Sequence, residues 1–139
     1  SSSTDGSTSS TYSDGSSSSS INSLISQDKV IASSLDEYWV PMLSQKWDGL
    51  GADGRTYDQY EVVNLDRQLR SQYGSIVIWS GEYTSFFRSD MWVHVVPIRY
   101  SNKEEALNWC RNSNLTREYC GAKFLSHIKN SKGTTAWLP

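Results

Sequence analysis

Residues 75–112 read SIVIWSGEYTSFFRSDMWVHVVPIRYSNKEEALNWCRN. Two short runs, Ser75–Ser80 and Met91–Tyr100, flank a polar, aromatic connection at 81–90. Both runs are rich in β-branched and aromatic residues, the composition of strands. Ser101-Asn-Lys-Glu104 then fits a capping box, with Ser101 as N-cap and Glu104 three residues on. It opens a predicted helix through about Asn112, with Ala106 and Cys110 on one face.

Working outward, residues 57–72 carry a second helical pattern. Val62, Leu65 and Leu69 fall on one stripe, and Glu61, Asp66, Arg67 and Arg70 take the other side. Gly74 ends it, as a helix-stopping glycine does. Before it, KWDGLGADGRTYD (46–58) reads as a loop and YWVPMLS (38–44) as a first strand. Pro41 lacks a backbone donor and suits an edge or a bulge. After the second helix, residues 113–119 turn and CGAKFLSH (120–127) is a fourth strand. The order β-α-β-β-α-β is the ferredoxin-like pattern of an α+β domain. Right-handed crossovers then put two helices on one face of a four-stranded antiparallel sheet. The first and third strands take the middle, and the second and fourth the edges.

The flanks are different in kind. Residues 1–20 hold twelve Ser, three Thr, two Gly, two Asp and Tyr12. So little apolar surface cannot offset the entropy of ordering, and the segment is expected to be a disordered Ser-rich linker. Residues 21–36 form a transitional segment or short helix, 37–128 the α+β domain, and 129–139 a polar C-terminal tail.

Cys110 and Cys120 are the two cysteines. A disulfide between the second helix and the last strand is the expected state, and two buried thiols are the alternative. With His94 and His127 they match no familiar zinc spacing. A disulfide implies an extracytoplasmic location. The net charge of −2 leaves no basic surplus for phosphates, so no nucleic-acid partner is expected. Asp48, Asp53 and Asp58 bracket a Gly-rich loop without the EF-hand register, so no metal is expected. No cofactor motif is present. Glu82 and Asp90 are not fixed as a carboxylate pair, and no Ser/His/Asp spacing stands out, so the chain is not expected to be an enzyme. A small hydrolase with an unrecognised site stays as an alternative. Asn114-Leu115-Thr116 is formally a glycosylation sequon.

Alternation along the strands divides the sheet. Val40, Met42, Ile76, Ile78, Val93, Val95, Ala122 and Phe124 are expected to face the helices. Trp39, Pro41, Val77, Trp79, Trp92, His94, Lys123 and Leu125 are expected on the opposite face. Trp39, Trp79, Trp92, His94 and Lys123 then form a candidate binding platform, with Tyr83 and Phe86 from the connecting loop. The other reading is that residues 21–36 or 81–90 fold over these tryptophans as a second small core.

The strings WVPMLSQKWDGL (39–50), LRSQYG (69–74), IWSGEYTSF (78–86) and WVHVV (92–96) carry a resemblance. So do the pairs and triplets Tyr57-Asp58, Asn108-Trp109-Cys110 and Cys120-Gly-Ala-Lys123. Together they resemble an uncharacterised actinobacterial surface domain, similar in placement to the extracytoplasmic ends of membrane serine/threonine kinases and small membrane proteins. The architecture also looks like a SPOR domain, the module that binds peptidoglycan glycan strands. These resemblances imply a non-catalytic binding or sensor domain on the cell surface. Its membrane anchor would lie upstream, and the linker would be its tether. The implied partner is cell-wall glycan, with an envelope protein as the alternative.

Overall fold

The computed structural model describes residues 20–52 and 54–139. The linker expected at 1–20 falls outside these except for Ser20, and Asp53 of the loop is outside them too. The fold is α+β. In chain order it runs α1 (Ile21–Ser33), β1 (Tyr38–Trp47), β2 (Gly51–Ala52), β3 (Arg55–Thr56), α2 (Gln59–Tyr73) and β4 (Ile76–Trp79). A 3₁₀ turn, Ser80–Glu82, follows, then β5 (Met91–Val95), α3 (Lys103–Asn112), β6 (Gly121–Leu125) and β7 (Thr135–Trp137). The main sheet has five strands in the order β4-β5-β1-β6-β7, and every pairing is antiparallel. β2 and β3 form a small hairpin of their own.

Among the described residues the main sheet has five strands in place of the expected four, and a third α-helix, at the segment expected to be transitional or a short helix, joins the expected two. The transitional segment is a full helix because Ser20 caps it, accepting a hydrogen bond from the Ser23 N–H, and because Ile21, Ile25 and Ala32 are buried. The polar tail contains β7, which pairs with β6 and makes β6 an inner strand, and Leu138 is buried behind it. α2 begins after Asp58, whose carboxylate accepts from the Tyr60 and Glu61 amides, and ends at Gly74 with φ of 68°. The N-cap of α3 is Asn102 rather than Ser101. Its amide oxygen takes the Glu105 N–H, and Glu105 reaches back to the Ser101 N–H, so the box is shifted by one residue.

β1 is the central strand. It pairs with β6 over Tyr38–Met42 and with β5 through Trp47. A bulge between Met42 and Ser44 inserts Leu43. Pro41 is tolerated inside the sheet because β5 has already ended: its carbonyl accepts from the Val96 N–H, and no ladder donor is missed.

The two sheet faces are assigned the opposite way from the expectation. Val40, Met42, Ile76, Ile78, Val93 and Val95 form a core with Ala32, Leu35 and Phe86. Ala32 at the end of α1, Leu35 and the 81–90 connection thus cover the aliphatic face, while Ile21 and Ile25 of α1 pack with Val77 and Trp92 on the other side, so α1 runs along the β4 edge. α2 and α3 sit on the other face, where Trp92 and Val77 pack against Val62 and Tyr57, and Ala122 packs against Ala106 and Cys110. Alternation cannot say which of two apolar faces a helix selects, and here the bulky aromatic face took α2 and α3. β6 is also one residue out of phase with the expectation. Ala122 is on the α3 side, whereas Lys123 and Leu125 are on the aliphatic side. Cys110 and Cys120 are joined by a disulfide that ties α3 to the start of β6.

Candidate functional site

The residues expected to make one platform are distributed over four places. Trp39, Trp79 and Trp92 do share a face, but it is the face that carries α2 and α3. Trp39 packs on Phe124 across the β1–β6 ladder, with ring centroids 5.6 Å apart. Trp79 and Trp92 are a cross-strand pair in β4 and β5, with centroids 6.2 Å apart. Lys123, Phe86 and Tyr83 are on the opposite side of the sheet.

Lys123 is 1% exposed. Its ammonium donates to the Ser85 carbonyl at 2.6 Å and to the Thr134 and Thr135 hydroxyls at 3.0 and 2.9 Å. It also lies 4.6 Å from the Phe86 ring centre. Three donors meet three acceptors, so this lysine clasps the 81–90 connection and the β7 approach to β6. Burial pushes its pKa down to about 8. Tyr83 stacks on His127 at 4.7 Å, and burial followed by the charges of Glu82 and Asp36 raises its pKa to about 12.

His94 is fully buried and cannot touch a ligand from solution. Its Nε2 lies 3.1 Å from Asp66 Oδ1, inside a polar knot between α1, α2 and the sheet. Arg70 joins Asp66 at 3.1 Å and Asp28 at 2.7 and 3.1 Å, while Asp28 also accepts the Val77 N–H. Asp66 and Arg70 belong to this knot although the apolar stripe read from the sequence puts them on the side of α2 away from Val62, Leu65 and Leu69. The signal that could have corrected this is spacing: Asp66 is four residues after Val62 and so continues the buried stripe. Ser44 faces His94 across β1 and β5, giving a Ser44, His94, Asp66 neighbourhood. The Ser44 hydroxyl and His94 Nδ1 are both enclosed and without a partner. The Ser44 hydroxyl and the His94 ring make no hydrogen bond to each other, so the three side chains are not linked into a nucleophile–base–carboxylate chain.

Two of the concavities bear on binding. The first, about 310 Å³, lies between the N-terminal halves of α1 and α2. Trp79 and Trp92 form its floor, Asn22, Ser26 and Gln59 bring amides and a hydroxyl, and the Lys29–Glu82 ion pair, 2.7 Å long, closes one side. Gly81 is required there, because a Cβ would come within 2.6 Å of Trp79 Nε1 and 2.7 Å of the Ser89 carbonyl. The indole is thereby held close to the backbone of the connection. Of the residues singled out from the sequence, these two tryptophans are the ones brought together at an open cleft.

The second concavity, about 390 Å³, runs beside the second half of β1 and was not legible in the sequence. Its outer wall is Glu118, Tyr119, Cys120 and Trp137, and Ala52 of the small hairpin also borders it. Trp137 lies directly across Gly121, whose position would put a Cβ 2.6 Å from the indole. No group of three or more His, Cys, Asp or Glu side chains suited to a metal occurs among the described residues. No helix among them is long and apolar enough to cross a membrane. Comparison with protein-family models, curated proteins and solved structures gives no match to this chain.

Proposed function

We propose that the chain is a non-catalytic extracytoplasmic binding domain that takes a cell-wall saccharide in the cleft between α1 and α2. The observation that carries this reading is the Trp79–Trp92 pair set among Asn22, Ser26 and Gln59. Sugar rings need an apolar surface for their C–H faces and nearby amides or hydroxyls for their own hydroxyls, and this cleft supplies both. Its polar groups include one cation and one anion already paired with each other, which suits a neutral ligand better than a polyanion.

The setting agrees. A buried disulfide is compatible with life outside the cytoplasm. The neighbour order β4-β5-β1-β6 supports reading that part as a ferredoxin-like, SPOR-like unit, to which α1 and β7 have been added. α1 supplies one wall of the cleft, so the site belongs to the added helix as much as to the core. On this reading Trp39, His94, Lys123, Tyr83 and Phe86 are structural, and the contact residues are Trp79, Trp92, Asn22 and Gln59. A surface position tethered through the Ser-rich segment follows from the resemblance to kinase-borne domains.

The test is a titration of tryptophan fluorescence with soluble peptidoglycan glycan fragments. Binding should shift the Trp79 and Trp92 indole N–H resonances, and Trp79→Ala should weaken it by about ten-fold or more. Fragments that leave both indoles unmoved would rule the reading out.

A further inference from the structure

β1 pairs with β6 over Tyr38–Met42 and with β5 over Met42–Trp47, so over Ser44–Trp47 it has β5 alone beside it. β6 begins at Gly121, opposite Met42, and the turn before it swings away. The second half of the central strand is therefore an edge in the middle of the sheet. The bulge fixes what that edge presents. Trp39 exchanges both backbone bonds with Tyr100, and the Pro41 carbonyl accepts from Val96, so odd-numbered residues turn to the β5 side before the bulge. Leu43 reverses the parity, and Ser44 and Lys46 turn to β5 after it. Gln45 turns its N–H and C=O outward.

The concavity there is lined by Met42, Leu43, Ser44, Gln45 and Lys46 without a gap. A pocket on one face of a strand touches every second residue, because side chains alternate. Five consecutive residues mean that this one is seen side-on to the backbone. The facing wall, Glu118 to Cys120 with Trp137, stands across a gap instead of pairing with β1. Leu43 and Tyr119 also line an adjoining, more apolar hollow of about 230 Å³ that reaches Leu69, Tyr73 and Leu115 under the helices. That volume suits one leucine- or phenylalanine-sized side chain.

We infer that this half-strand takes an extended peptide from a protein partner, which pairs with β1 at Gln45 and sets one apolar side chain into the adjoining hollow. Main-chain hydrogen bonds supply affinity, and the hollow supplies selectivity for alternate residues. Lys46 holds its ammonium 5.0 Å from the Tyr57 ring centre and Glu118 stands on the outer wall, so the site fits a peptide of low net charge and not a polyanion. This site is separate from the tryptophan cleft and does not depend on saccharide binding.

The test uses the full chain and a panel of blocked peptides of about six residues. In them threonine alternates with leucine, phenylalanine, valine, glutamate or lysine. In the protein alone, the Gln45 amide should exchange with deuterium faster than those of Ser44 and Lys46. Leucine or phenylalanine peptides should slow it by about ten-fold or more and shift the amide signals of Ser44, Gln45 and Tyr119. Methylating one alternate set of peptide nitrogens should abolish both effects, and methylating the other set should not. Gln45→Pro removes an N–H that β5 does not use, so it should keep the melting temperature and lose the peptide. The inference is overturned if no peptide moves these signals at millimolar concentration, or if both methylated forms act like the parent. Slow Gln45 exchange in the protein alone would also overturn it. If that protection grows with protein concentration, a second copy holds the edge; if it does not, the chain itself does.

Discussion

Asp28 of α1 accepts a hydrogen bond from the backbone N–H of Val77 in β4 at 3.0 Å, so at this edge of the sheet a side chain stands where a further strand would pair. The same carboxylate holds Arg70 of α2 through two bonds. One residue therefore protects the β4 edge and fastens α1 to α2.

Asp28→Ala leaves the Val77 amide without its acceptor and Arg70 with Asp66 alone. The expected loss is about 2–4 kcal/mol, moderated by the partial exposure of Arg70. Asp28→Asn keeps an acceptor and should lose less. Urea unfolding of the three proteins measures this, and an unchanged midpoint for Asp28→Ala would show that the clamp does not hold α1.

Acid should act through Asp66. Burial by itself raises its pKa, but the hydrogen bonds and charges of His94 and Arg70 outweigh that and hold the carboxyl below its ordinary 3.8. A depressed folded pKa gives stability that is present above the unfolded value and lost as pH falls through the folded one. The melting temperature should therefore drop below about pH 4, and Asp66→Asn should start lower and fall less steeply.

The alkaline side has two opposed contributions. Lys123 is near pKa 8 when folded and 10.5 in its ordinary state, so the unfolded chain binds more protons between those values. Stability should rise with pH across that window, by at most about 3 kcal/mol, less what its three acceptors already offset. Tyr83, near 12 when folded against an ordinary 10.0, keeps its proton longer in the folded chain. Stability from this group is lost as pH climbs above 10. Denaturation midpoints should thus peak near pH 10; Lys123→Met should remove the rise and Tyr83→Phe the fall.

The disulfide should resist reduction in the native state. Cys110 and Cys120 are both buried, with 0 and 1% exposure, so a reductant reaches them only after unfolding. Thiol titration of the native protein should count no reactive groups, and a dithiol should become effective only as denaturant is added. Replacing both cysteines by alanine should cost about 2–3 kcal/mol.

Gly121→Ala should be destabilising by about 1–3 kcal/mol, because the new methyl meets both the Trp137 ring and, at 2.9 Å, the Ala136 carbonyl. Trp137→Ala in the same chain should recover part of the loss and no more, since the carbonyl contact belongs to the backbone. Full recovery in thermal unfolding would mean that the carbonyl yields.

The residues that made the fold legible were those with strong local signals. The SIVIW and MWVHV runs, the 62-65-69 stripe and Gly74 each fix an element by sterics or hydrogen bonding within a few positions. α1 lacked such a signal, because Ile21, Ile25 and Ala32 are separated by serines and find their partners in the sheet and α2, far away in sequence. β7 was hidden for a related reason: three residues carry no period, and Gly121 across the ladder makes room for Trp137. The tryptophan pair was readable from alternation. The cleft around it was not, since one wall is α1. The bulge at Leu43 and the unpaired half of β1 depend on where β6 starts, which no single-strand pattern contains.

The Asp28 clamp has a mechanical consequence. Ser20 leads into α1, and beside the packing of Ile21, Ile25 and Ala32 the helix is fastened to β4 and α2 through Asp28 and Arg70. Tension applied at Ser20 loads the Ile21 and Ile25 contacts first and then this pair. Peeling α1 away would open the wall beside Trp79 and Trp92 while β1 stayed bonded between its neighbours. On the proposed saccharide reading, pulling at the N-terminus of α1 would release the ligand without unfolding the sheet, so pulling force and ligand occupancy would work against each other.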